Sequence, residues 1–152
     1  VLPITRGLDS ILQKPASWAI QEIVQEAPDA KWIALGELEP PQFLVANGAS
    51  TINSNNYIPN MELWTKLDLD GKYNEVYNRY SHVDVVLTDQ DTYFKLIAPD
   101  FIRVYLSYSD METAEITYIF SIYPVSEESG LVDFNLLYEQ SGIYIYEVVY
   151  LT

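Results

Sequence analysis

The sequence predicts a single α/β (α+β) domain over residues 1–152: a mixed sheet of six to seven strands with three to five helices, and an antiparallel meander in the C-terminal half. Three observations predict it. Helical spacing dominates the start, where Ala16, Ala19, Ile20, Ile23, Val24 and Ala27 form one apolar stripe. Two-residue alternation takes over from Val83. No linker, repeat or low-complexity tract divides the 152 residues, a length that suits one domain with a buried core.

The elements follow in order. Residues 1–8 are a lead-in. A helix is expected over 9–27, capped by Asp9 or Ser10, with Pro15 near its start and Pro28 ending it. Lys31 to Gly36 is a short buried strand. Pro40 or Pro41 opens a short helix that closes at Asn47-Gly48. Residues 51–60 form a polar loop, and Asn60 caps a helix over 61–67. Asp68 to Gly71 is a turn; as a calcium loop it fails, with Lys66 at the first ligand position and Tyr77 at the final glutamate.

The stretch from Gly71 to Ser107 is the densest signal. Tyr73, Val76, Tyr77 and Tyr80 fall on one helical face, and the strand over 82–88 follows directly. TYFKLI and FIRVYLS are two strands turned by Ala98-Pro99-Asp100, and short linkers predict antiparallel neighbours. Residues 109–114 form one helical turn or a short helix, capped by Ser109 or Asp110. The strand over 115–123 sets Ile116, Tyr118, Phe120 and Ile122 on one face. The strands over 132–139 and 143–150 make a hairpin at Ser141-Gly142.

Composition excludes several functions. A net charge of −14 repels phosphate backbones and anionic lipid heads, which argues against nucleic-acid partners. The absence of Cys removes disulfides, thiolate catalysis and cysteine metal sites. No run reaches the roughly 20 apolar residues of a membrane helix. His82 is the single histidine, so two-histidine metal sites are excluded. No glycine loop for phosphates and no GxSxG elbow is present. Carboxylates after strands, at Glu37, Glu39, Asp89 and Asp91, leave a glycosidase-type pair open. No cofactor and no metal is expected. The chain opens on Val1 rather than Met and is expected to be a segment of a longer protein.

The runs KWIALGE, ANGASTINSNNYIPNMELWTKLD, YNEVYNRYSHVDVVLTD, FIRVYLSYSD and LLYEQSGIYIYEV together resemble one family. It is the extracytoplasmic C-terminal domain of bacterial multi-pass membrane proteins of the glycosyltransferase-C and YfhO-like type. The motifs are Asn-Gly-Ala then Tyr-x-Pro, Tyr-Asn-Arg-Tyr, and Tyr-Glu-x-x-Gly-x-Tyr-x-Tyr. The resemblance implies a soluble domain on the outer face of the membrane. Its partners would be the membrane helices of the parent chain, and its ligand a glycan or lipid-linked sugar. The family's catalytic residues lie among membrane helices that this sequence lacks, so no catalytic position carries over.

The residues expected to touch such a ligand are Asn47, Asn53, Tyr57, Trp64, Tyr77, Arg79, Tyr80 and His82. Each has a structural alternative: tyrosines pack sheets, and Arg79 can pair with nearby acids. Two other functions stay open. One is a free-standing carbohydrate-active enzyme using Glu37, Glu39 or Asp91; the other is a protein-interaction module using Tyr77 and Tyr80.

Overall fold

The structure, a computed structural model, describes residues 10–36, 39–53, 55–56, 59–127 and 129–151. The lead-in, the cap at Asp9 and the candidates Glu37 and Tyr57 lie outside the described residues. The elements are α1 (Ser10–Glu26), β1 (Lys31–Leu35), α2 (Glu39–Ala46), β2 (Ser50–Thr51), β3 (Asn55–Asn56), α3 (Met61–Leu67), α4 (Asn74–Tyr77), β4 (Ser81–Thr88), β5 (Tyr93–Ala98), β6 (Phe101–Ser107), β7 (Ile116–Ser121), β8 (Val132–Gln140) and β9 (Ile143–Tyr150). A single 3₁₀ turn, Tyr108–Asp110, follows β6 and is capped by the Ser107 hydroxyl rather than by Ser109 or Asp110.

The mixed α+β class holds, with seven strands of five residues or more and two short ladders among the described residues. The strands divide into two mixed sheets, not one. The first runs β2-β1-β7-β9-β8 and the second β3-β4-β6-β5. Strand order also departs from a meander. β5–β6 and β8–β9 are antiparallel hairpins as expected, but in each run the third strand sits in the middle. β6 therefore lies parallel to β4, and β9 lies against β7. Residues 89–92 suffice to cross one strand, a step of roughly 10 Å.

Three layers result. Trp32 and Ala34 of β1, Phe120 of β7 and Ile143 and Ile145 of β9 pack under Ala16 and Ile20 of α1 and Leu44 of α2. The opposite face of the same sheet carries Ile33, Leu35, Ile119, Tyr146 and Val148. These meet Val83, Val85, Ile102, Val104 and Leu106 of the second sheet. α3 and α4 join this inter-sheet core at its β5 side, where Trp64, Tyr73 and Tyr77 surround the Phe94 ring.

Two local departures have simple causes. A bulge between Ile116 and Tyr118 changes the register against β1, so Ile116 faces the second sheet while Tyr118, Phe120 and Ile122 face the helices. The tyrosine helix shrinks to the single turn of α4, and Tyr80 lies beyond it, half exposed. Arg79 ends that helix. Its guanidinium donates to the carbonyls of Glu75 and Val76, the orphan acceptors of the last turn, and to that of Pro99.

Both faces of β1 are buried, yet β2 pairs with only its first two residues. The Asn53 carboxamide takes over from there. Its oxygen accepts from Ala34 N at 2.9 Å, and its nitrogen donates to Ala34 O at 2.6 Å. An amide side chain stands in for the next peptide of the missing strand. Replacing Asn53 by Ala leaves both Ala34 groups buried and unpaired, at about 1–3 kcal/mol each. The expected loss is on the order of 3 kcal/mol, read as a lower urea midpoint at unchanged slope.

Gly36 closes β1 at φ +121°. A Cβ there would sit 2.5 Å from Ile122 Cγ1. Gly36→Ala is therefore expected to destabilise by about 1–3 kcal/mol through strain and overpacking, measurable by thermal unfolding.

Candidate functional site

The residues expected to bind ligand are scattered and mostly occupied. Asn53, just after β2, is fully buried against Ala34 of β1. Asn47 ties the end of α2 to α1: its nitrogen donates to Phe43 O and its oxygen accepts from Gln21. Trp64 and Tyr77 are fully buried against Phe94, so ligand contact there would require the core to open. The same burial removes Tyr77 from any exposed tyrosine surface. Arg79 holds three carbonyls, and Tyr80 is half exposed. His82 is half-buried, its backbone N–H donating to Asp100 O, with Nδ1 buried and without a hydrogen-bond partner. Asp68, in the turn that departs from a calcium loop, accepts the Lys72 and Tyr73 amides at 3.1 and 2.9 Å. Among the described residues, no group of three or more His, Cys, Asp or Glu side chains could hold a metal ion.

Two clefts lie instead at the carboxyl ends of the parallel pairs, where open α/β sheets place ligands. The larger, about 450 Å³, follows β4 and β6 and is lined by Leu87, Thr88, Asp89, Tyr108, Glu127 and Ser129. Its carboxylates are engaged locally. Both oxygens of Glu127 accept from Ser129, one from its amide and one from its hydroxyl, each at 2.6 Å. Asp89 accepts from the Gln90 side chain at 3.1 Å.

The smaller cleft, about 280 Å³, is lined by Gly36 after β1, Tyr123 after β7, Asp84, Val85 and Val86 of β4, and Arg103 of β6. Asp84 and Arg103 are direct cross-strand partners on the outer face of the second sheet. Arg103 Nε donates to Asp84 Oδ2 at 2.6 Å; the Asp84 side chain is 3% exposed and that of Arg103 23%. The Asp84 hydrogen bond, with the Tyr105 side chain second, raises the Arg103 pKa and keeps the guanidinium charged. The Phe101 ring lies 5.8 Å from that guanidinium.

Tyr123 is held from behind. The buried Ser121 hydroxyl donates to Tyr123 O at 2.6 Å and accepts Tyr123 N at 3.1 Å. Sequence reasoning missed this group. The signal was present as one aspartate inside the apolar run of β4 and one arginine inside that of β6, in a chain with only eight cationic side chains. What the sequence could not show is that they share a register.

Together these observations define a three-layer α+β domain with two clefts at the sheet ends. Residues 10–151 match the profile of a family described as Domain of unknown function (DUF7654), and the chain belongs to that family. No curated protein and no solved structure matches the chain.

Several phenols here are shielded. Burial first, and the Glu112 charge second, raise the pKa of Tyr150, whose hydroxyl donates to Ile116 O. Burial also raises Tyr108, Tyr118 and Tyr123, helped by Glu127, Glu147 and Asp84 respectively. The folded state thus keeps protons that the unfolded chain releases near pH 10. Stability is expected to be whole below about pH 10 and to fall above it, in a urea series read beside ultraviolet phenolate absorbance.

Proposed function

We propose that this chain is a non-catalytic extracytoplasmic accessory domain of a polytopic membrane protein. It supports lipid-linked sugar transfer or envelope glycan assembly, with the membrane helices of the same parent chain as its partner. The observation that carries the non-catalytic reading is the Asp84–Arg103 pair. The Asp84 carboxylate of the smaller cleft is buried and engaged by the Arg103 guanidinium, a pairing that holds β4 to β6. Polar side chains elsewhere, at Asn53, Asn60, Asp68 and Arg79, hold backbone groups and stiffen the scaffold. The sequence resemblance supports the placement. The −14 charge would hold the domain off an anionic bilayer surface. Among the described residues no helix is long and apolar enough to cross a membrane.

An antibody to this chain tests the placement on fractionated source cells. A membrane-bound band far above 17.4 kDa, shaved from intact cells by protease, is expected. A soluble band of the chain's own mass would overturn it.

A second reading, a stand-alone carbohydrate-active enzyme, draws on the larger cleft. There Asp89 and Glu127 both act on the Tyr108 hydroxyl. Of the carboxylates first considered, Glu39 and Asp91 are exposed and line neither cleft. The isolated chain is expected to show no glycan turnover. Turnover abolished by Asp89→Asn or Glu127→Gln would favour the enzyme instead.

A further inference from the structure

We infer that the outer edge of β8, from Val132 to Leu136, takes up an extended segment of a partner polypeptide in which cationic and apolar residues alternate. The segment adds a further strand to the five-stranded sheet. Four observations carry this.

The first is the contrast between edges. Sheets blunt their edges with very short strands, lysines or bulges. β2 and β3 end their sheets with two residues each. β5, the other edge of the second sheet, has exposed Lys95 in its middle and a bulge between Leu96 and Ala98. β8 is nine residues long and carries no lysine. It pairs with β9 in unbroken register from Val132 to Leu136, and its own shift comes only after that.

The second is the open backbone. Leu131 O accepts from Leu151 N across the hairpin, and antiparallel pairing alternates from there. Asp133 and Asn135 therefore turn their backbone groups to β9, while Val132 and Phe134 turn theirs outward. The Phe134 amide donates to Asp133 Oδ1 at 3.0 Å, a contact on the exposed rim. An incoming carbonyl can take over that amide, and a carboxylate has further acceptor sites for a cation.

The third is the chemistry of the two faces. Val132 and Phe134 face the second sheet, and half-exposed Leu136, opposite Tyr146, continues that apolar face. The other face carries exposed Asp133 and, diagonally across the ladder, Glu147 of β9. An added strand thus meets apolar side chains on one face and carboxylates on the other. Successive residues of a strand point to opposite faces, so its sequence alternates.

The fourth is charge, which decides the occupant. Eight carboxylates and no Lys, Arg or His follow Arg103 in the sequence. Glu115 is met by Lys31 of β1, but β8 and β9 bring no cation. A second copy of this edge would bring only like charge. Nowhere in the 152 residues do two cationic side chains stand two positions apart, as alternation on one strand face requires. The occupant is therefore a different polypeptide segment, with Lys or Arg at every second position and Val, Ile or Leu between.

This edge is independent of the membrane placement, and either can fail without the other.

The test is an amide NMR titration of the isotopically labelled chain with a capped hexapeptide of alternating lysine and valine. The amides of Val132, Phe134 and Leu136 are expected to shift and to gain protection from hydrogen exchange, at roughly millimolar affinity for so short a strand. Added salt is expected to weaken binding severalfold by screening the exposed charges. Asp133→Lys and Leu136→Lys change exposed side chains and leave the fold intact. Each is expected to weaken binding about tenfold or more. Three controls accompany the probe: the peptide with glutamate for lysine, the peptide with proline for valine, which keeps the charge but cannot pair, and the unlabelled chain itself. Absence of shifts with the lysine–valine peptide would overturn the inference. So would equal binding of the glutamate or proline peptide, shifts confined to other surfaces, or binding unchanged in both variants. A response of the same amides to the unlabelled chain would overturn it in favour of self-association.

Discussion

The first strand of the fold has no face left for water. β1 touches the helices on one side and the second sheet on the other, and its backbone must still be paired. β7 satisfies one edge along the whole strand, but β2 stops after two residues. The Asn53 carboxamide supplies the remaining donor and acceptor. The position of β1 between two packed layers therefore depends on a side chain in a loop. The polar stretch from Thr51 to Asn53 is, in part, strand completed by other means.

This explains how much of the fold was legible. The apolar stripe of α1, the proline start and glycine end of α2, the Asn60 cap and the Ser141-Gly142 turn are local, and each was readable. Ser141 and Gly142 both take positive φ, as a tight turn between twisted strands requires. Strand order and the division into two sheets are not local. A hairpin looks the same whether it docks by its first strand or its second, so the places of β6 and β9 were hidden. The Ile116 bulge was hidden too, because alternation through Ile122 reads as one face until a partner strand sets the register.

The candidate site failed to read for a related reason. Asn, Arg and His drew attention as polar residues in a run that resembles a family, and most of them hold backbone. Asp84 and Arg103 matter only as a pair, and their pairing is a fact of parallel register between two strands separated by a third in sequence. An ion pair this sheltered gains little net stability over an apolar pair, since both charges must be desolvated. Its value is specificity: it fixes the register of β4 on β6.

β8 forms an outer edge of the five-stranded sheet among the described strands, nine residues long, with Leu136 and Leu137 exposed. Such an edge is a template on which another chain could grow. The register shift between Leu136 and Tyr138 breaks the regular spacing of its outward amides, and Asp133 and Glu139 would meet like charges in a second copy laid antiparallel. The hairpin that completes the sheet is thereby its own safeguard against fibrous self-association.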